Sequence, residues 1–243
     1  MISVKGKWAL ITGAARGIGY LAAKFMAEQG CNLVLHSRST EHTKKVLSEV
    51  KALGVEAYDV EADLNNPSAV EKMLDQIEEK GTKIDIVLNN AGLQPGYRND
   101  YLSTPVSDFT VSFMVNTIAP AMICYKFLPG MIKRGFGRIV NTTSGIRNEP
   151  QQAGYSAAKA ALDKFTTDLA TVVDDTDVII SLTDPGWCRT DLGSQNAPNS
   201  PESAIPGVLT GVFVNDKKSG RLFGAQQFSG MSLEDAVKYA EKL

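Results

Sequence analysis

Short apolar runs alternate with amphipathic stretches along the whole chain, and the order of the two is regular. Residues 7–12 (KWALIT) form a continuous apolar run of strand length, the pattern of a strand buried on both faces. From about 18 to 29 the apolar positions take helical spacing, and Gly30 is the stop signal. Residues 31–37 read as a second strand, and a polar-faced helix over about 41–53 ends near Gly54. A third strand over 55–63 is followed by a helix over 67–79 with Pro67 in its first turn. Residues 84–92 are strand then turn, and a loop rich in Gly, Pro and Asn follows.

A long helical region covers 105–134, with Pro120 and Pro129 as expected kinks or ends. Residues 137–144 form a fifth strand. From Tyr155, a stripe of Ala158, Leu162, Phe165, Leu169 and Val172 marks a buried helix face. The pattern then predicts a strand over 177–186, a loop over 187–200, a helix over 200–213, a last strand over 221–228 and a closing helix. Strand–helix alternation of this kind predicts an α/β fold: a doubly wound, parallel, seven-stranded sheet with helices on both faces. No repeat or linker divides residues 1–243, so one domain is expected to carry both binding and chemistry.

Composition narrows the function. The net charge of −2, with no block of like charges, argues against nucleic acid as a partner. No apolar run reaches membrane-spanning length by inspection, and the N-terminus lacks signal-peptide anatomy, so no membrane partner is expected. Cys31, Cys124 and Cys188 give neither a disulfide framework nor a metal pattern, which suits a reducing cytoplasm. Only His36 and His42 are present. Ser–His–Asp triads and histidine metal sites have almost no raw material, so no metal is expected and proton chemistry falls to Tyr, Lys, Asp or Glu.

Two motifs stand out. TGAARGIG (12–19), with Gly13, Ala15, Arg16, Gly17, Ile18 and Gly19, follows a strand and opens a helix. Glycines there let backbone approach a pyrophosphate, and the helix start offers free N–H groups to it. In YSAAK, Tyr155 and Lys159 lie four apart, on one helical face. A fixed cation favours phenolate and lowers a tyrosine pKa from its reference near ~10, which would suit the phenol to proton transfer.

With Asp63 after the third strand, NNAG at 89–92, Asn116, Ser144 and DPGWCRT at 184–190 in the same order, the chain resembles the short-chain dehydrogenase/reductase family in its single-domain, Rossmann-type form. Within the family it is most similar to the 3-oxoacyl acyl-carrier-protein reductases. The resemblance implies catalysis by Asn116, Ser144, Tyr155 and Lys159. Tyr155 would exchange the proton and Ser144 would donate to the carbonyl oxygen. Lys159 would tune the phenol and hold the nicotinamide ribose, and Asn116 would position a water leading from Lys159. It also implies adenine contacts at Asp63 and Leu64, cofactor-facing Asn90, Ala91 and Gly92, and nicotinamide contacts at Pro185, Gly186, Cys188 and Thr190. Asp63 also reads as an N-cap-type residue before Pro67, and Cys188 as an apolar filler.

NAD-selective members carry an acid at the end of the second strand. Here Ser37 stands in that place and Arg38 follows, with Arg16 nearby in the glycine loop, so NADP(H) is expected over NAD(H). Two departures bear on the substrate. The segment between Ser144 and Tyr155 and the segment after Thr190 are both short for the family, which predicts an open pocket. Its walls are expected from 93–104, 145–154 and 187–212. The expected activity is NADPH-dependent reduction of a carbonyl on a small-molecule or carrier-bound substrate, such as a 3-oxoacyl thioester, by a homodimer or homotetramer. Alternatives are a sugar, polyol or other secondary-alcohol dehydrogenase, and a non-catalytic dinucleotide-binding regulator.

Overall fold

A computed structural model describes all 243 residues. Its strands are β1 (Trp8–Ile11), β2 (Asn32–Ser37), β3 (Ala57–Glu61), β4 (Ile84–Asn89), β5 (Gly137–Thr142), β6 (Val178–Asp184) and β7 (Leu222–Gly224). All pair in parallel in one sheet of order β3-β2-β1-β4-β5-β6-β7. The helices are α1 (Gly17–Glu28), α2 (Lys44–Ala52), α3 (Pro67–Glu79), α4 (Val106–Phe113), α5 (Ala119–Arg134), α6 (Ala153–Ala170), α7 (Thr210–Phe213) and α8 (Leu233–Ala240).

The continuous apolar strands follow from this layering. Ala9 and Ile11, Leu33 and Leu35, and Ile86 and Leu88 pack on the face covered by α1, α2 and α8. The residues between them, Leu10, Val34 and Val87, pack on the face covered by α3, α5 and α6. Successive residues of a strand point to opposite faces, and here both faces are buried. The strand order reverses between β1 and β4, and crevices at such a switch point, beyond the carboxyl ends of the strands, are where open α/β sheets bind ligands.

Several expectations need correction. Residues 200–213 are not one helix. Two 3-10 turns, Pro201–Ala204 and Gly207–Leu209, precede the short α7. Pro206 has no N–H to give, and Gly207 lies so close to Ala225 that a Cβ there would be 2.4 Å from its carbonyl oxygen. The last strand stops at Gly224, and Ala225–Phe228 coils into a 3-10 turn that buries Ala225 and Phe228. The cap of α3 is Asn66, whose side chain accepts from Ser68 and Ala69 N–H, and not Asp63.

The helical run Val106–Arg134 is, after all, long and apolar enough to cross a membrane by length and composition, with a mean hydropathy of 1.4 over its most apolar window. Its apolar residues Val115, Ile123, Phe127, Leu128 and Met131 pack instead against the sheet. Pro120 and Pro129 neither end this run nor break it. Pro120 has no N–H for the Asn116 carbonyl one turn back, and the helix widens there into a single π turn, Met114–Ile118.

Candidate active site

The glycine loop is built by close approach. Gly13 (φ 67°) and Gly17 (φ 56°) take left-handed backbone that favours glycine. A Cβ on Gly19 would come 2.2 Å from the Gly13 carbonyl oxygen and 2.5 Å from Asn90 Nδ2. Asn90 secures that contact, with its amide donating to the Thr12 carbonyl at 3.0 Å, while Thr12 Oγ1 accepts from Asn90 and Ala91 N–H. The first turn of α1 has no side-chain cap and no acidic residue. Its free N–H groups and positive dipole end therefore face an open, glycine-walled cradle, which fits the phosphates of a dinucleotide.

His36 pins this loop from behind. It is buried at the end of β2, its Nδ1 accepting from Gly13 N–H at 3.4 Å and its Nε2 facing the Ala62 carbonyl at 3.1 Å. That arrangement requires the neutral ring with the proton on Nε2. Burial lowers its pKa from 6.5 to about 4, against the Ala62 contact. The folded value lies below the unfolded one, so the neutral ring's contribution is complete above pH 6.5 and lost as pH falls through about 4. We expect acid to cost on the order of 3 kcal/mol through this residue. Melting temperatures across pH should therefore fall less steeply between 6.5 and 4 in His36→Asn than in wild type; parallel curves would contradict the assignment. A scarce histidine at a strand end was its only sequence signal.

The carboxyl ends of β2 and β3 carry the next expected contacts. Ser37 is buried and its hydroxyl donates to the Ser39 carbonyl at 2.5 Å. Arg38 is exposed and makes no ion pair, whereas Arg16 pairs with Asp191 in the loop after β6. Asp63 is exposed and accepts from Asn65 N–H at 2.9 Å, with Leu64 buried beside it.

The remaining candidates converge beyond β4, β5 and β6. Asn116 is fully buried. Its Oδ1 accepts from Leu93 N–H and its Nδ2 donates to the Leu93 carbonyl, so the π turn holds the segment that follows NNAG. A Cβ on Gly92 would lie 3.3 Å from Asn116 Oδ1, 3.6 Å from Leu192 and 3.9 Å from Lys159 Nζ. Tyr155 and Lys159 occupy successive turns at the start of α6, both buried. Lys159 donates to the Thr142 carbonyl at 2.7 Å, and its Nζ lies 5.8 Å from the Tyr155 ring centroid. Ser144 lies close enough to the Tyr155 phenol to influence its ionisation.

The electrostatics differ from expectation. Burial lowers the Lys159 pKa to about 8, against Asp163 and Asp184, which raise it. Burial raises the Tyr155 pKa to about 12; Ser144 lowers it and Asp184 raises it further. A lysine four residues away therefore does not by itself acidify this phenol. The amine is committed to Thr142 and lies over the ring, while desolvation penalises phenolate.

Residues 190–192, part of the expected pocket wall, lie against the glycine loop and Gly92. The segment after Cys188 turns back on itself: Thr190 Oγ1 accepts from Gly193 N–H, and a Cβ on Gly193 would meet the Cys188 carbonyl at 2.1 Å. Thr190 thereby packs on Gly17, Leu192 on Gly92, and Asp191 pairs with Arg16. Pro185 accepts from Gln226 at 2.8 Å, and a Cβ on Gly186 would come 2.9 Å from the same side chain. Cys188 is buried, and burial raises its thiol pKa. A small pocket remains beside Tyr155, lined by Thr104, Asp108, Gln151 and Gln152 with Pro95 and Gly96.

Comparison with known proteins agrees with the fold and the motifs. The short chain dehydrogenase family model matches residues 7–200. The chain is 35% identical to a versicolorin reductase of Emericella nidulans, over 77% of this chain and 71% of that one. It is 32% identical to the 3-oxoacyl acyl-carrier-protein reductase of Aquifex aeolicus, over 79% of this chain and 77% of that one. A metagenomic short-chain oxidoreductase in complex with NADP superposes with a TM-score of 0.70 at 30% identity, covering 78% of this chain and 86% of that one. A NAD+-bound xylitol dehydrogenase superposes with a TM-score of 0.78 at 26% identity, covering 92% and 98%. The chain thus belongs to the short-chain dehydrogenase family and is an oxidoreductase acting between CH–OH and C=O groups.

Proposed function

We propose that this protein is an NADPH-dependent carbonyl reductase, with Tyr155 as proton donor. The observation that carries the reading is the meeting of Ser144, Tyr155 and Lys159 at the strand ends, beside a glycine cradle shaped for a dinucleotide. A bound nicotinamide cofactor would supply the hydride. Tyr155 gives its phenolic proton to the carbonyl oxygen as negative charge develops there, and Ser144 donates a hydrogen bond to the same oxygen. Lys159 carries a positive charge beside the Tyr155 ring and would hold the nicotinamide ribose. Asn116 fixes the Leu93 backbone and so the cofactor-facing turn Asn90–Gly92. Burial keeps the phenol protonated at neutral pH, the form a proton donor needs.

The substrate reading is a 3-oxoacyl thioester, supported by the similarity to the Aquifex reductase. A sugar or polyol substrate is the second reading, and the polar lining of the cavity beside Tyr155 favours it. We place the protein in a reducing cytoplasm, where three buried, unpaired cysteines are stable. A homo-oligomer, dimer or tetramer, is supported by exposed Ile118, Tyr125 and Ile132, seven apart on one helical stripe.

NADP(H) preference rests on the absence of a carboxylate at Ser37 and on the free guanidinium of Arg38. Arg16 would add a second cation once it leaves Asp191. Titration of wild type with both cofactors should give tighter binding of NADPH by about tenfold or more, the effect of a charge-assisted contact. Ser37→Asp should reverse that order. Equal affinities in wild type, or no change in the variant, would remove the cofactor assignment.

A further inference from the structure

Asp184, the last residue of β6, has no part in the proton chemistry above, yet three features of the site meet at it. The β5–β6 ladder continues one step past the strand, where Thr143 N–H donates to the Thr183 carbonyl at 2.8 Å. The next free donor on that side is Gly145 N–H, and the Asp184 side chain takes it, Oδ2 accepting at 3.0 Å. Its other oxygen, Oδ1, accepts from Gly186 N–H at 2.9 Å. One carboxylate thus ties the residue after Ser144 to the segment that opens Pro185–Thr190. The approach is tight: a Cβ on Gly145 would lie 2.9 Å from Asp184 Oδ2. Charge-assisted bonds to backbone N–H groups are stronger than neutral ones.

The same carboxylate adds an anion to a buried basic site. Lys159 is enclosed, and the acids acting on it are Asp163, one turn on along α6, and Asp184 from the end of β6. Arg147, in the loop after β5, acts on Asp163. On the α4 side the cavity beside Tyr155 is bordered by Asp108, which is engaged by Arg98 at 2.7 Å. On its outer side Asp184 faces Cys188, near Arg189 and Glu202.

We infer that Asp184 is the positioning residue of this site: it clamps the Ser144 loop to the Gly186 segment and adds an anionic counter-charge to the surroundings of Lys159 and Tyr155. The catalytic part of this inference rests on the proposed role of Tyr155; the clamp and the counter-charge do not.

The test compares wild type with Asp184→Asn and Asp184→Glu. An amide oxygen can replace only one of the two accepting atoms and carries no charge. In Asp184→Asn, hydrogen exchange should accelerate by about tenfold or more at whichever of the Gly145 and Gly186 amides faces the new NH2 group. The Lys159 side chain, followed by nitrogen NMR in the cofactor-free protein, should titrate at lower pH. Removing an anion favours both lysine deprotonation and phenolate. The alkaline fall in the rate of carbonyl reduction should therefore move to lower pH, with a larger effect on kcat than on KM. Asp184→Glu keeps the charge on a longer arm. It should loosen the two amides while leaving the lysine titration and the alkaline limb close to wild type.

Unchanged amide exchange in both variants would overturn the clamp. An unmoved lysine titration in Asp184→Asn, or an unmoved alkaline limb in an active variant, would overturn the counter-charge. If the amides and the lysine respond as expected while wild type turns over no carbonyl, the clamp and counter-charge stand and the proposed reductase activity falls.

Discussion

Tyr155→Phe should abolish most carbonyl reduction, by ~10²–10⁴-fold in kcat, while leaving NADPH affinity within about twofold of wild type. The substitution removes one oxygen from a ring that is 7% exposed, so the packing at the start of α6 is preserved. It removes the phenol beside Ser144, and with it the proton that the product alcohol needs. Lys159 is not a ready substitute. Its amine donates to the Thr142 carbonyl at 2.7 Å and is held under the ring rather than at the phenol oxygen's place. Steady-state rates together with direct cofactor titration separate the two effects. A variant that keeps more than about a tenth of wild-type turnover would show that another group donates the proton.

The second large effect is expected at Gly19. A methyl group there would have to occupy space 2.2 Å from the Gly13 carbonyl oxygen and 2.5 Å from Asn90 Nδ2. The first neighbour is backbone in a turn that needs left-handed φ at Gly13, and the second is an amide tied to the Thr12 carbonyl. Neither can retreat without moving the loop. Overpacking of this kind costs roughly 1–3 kcal/mol. At roughly 2–4 °C per kcal/mol for a chain of this size, Gly19→Ala should melt several degrees lower. The displaced loop should also lose its alignment with the start of α1, and NADPH affinity should fall by about tenfold or more. Thermal melts and cofactor titration check both. Unchanged affinity would mean that the dinucleotide phosphates do not lie in this cradle.

What could be read from the sequence divides along physical lines. Continuous apolar runs such as 86–88 must be buried on both faces, and the separation of Ile86 and Leu88 from Val87 onto opposite layers shows why. The glycine cradle was readable because positive φ and close approach leave few other residues possible at Gly13, Gly17 and Gly19. Pattern failed where tertiary packing overrode it. Residues 200–213 have helical spacing, but Gly207 and Gly211 are pressed against Ala225 and Ser181, and the chain turns twice instead.

Electrostatics were the least legible part. The Tyr155–Lys159 spacing predicts proximity but not where the amine points, and desolvation of the phenol decides the direction of its shift. Arg16 and Asp191 are far apart in sequence, so nothing local announces that the glycine loop and the segment after β6 meet. In the sequence His36 reads only as part of a strand and Asp184 only as part of a motif. Their work, pinning Gly13 and joining Gly145 to Gly186, depends on which backbone donors the sheet leaves unpaired at its edge.

The central claim is hydride transfer from NADPH to a carbonyl. Its most direct measurement is the consumption of NADPH and of NADH, in parallel, with an acetoacetyl thioester and a small panel of sugars and ketones, using NADPH that carries deuterium at the transferred position. The account predicts faster consumption of NADPH and deuterium on the carbinol carbon of the product, with the thioester as the preferred substrate. Turnover confined to a sugar or another ketone would keep the chemistry and replace the substrate. Tight binding of NADPH with no consumption on any carbonyl would contradict the account and leave a dinucleotide-binding protein without reductase activity.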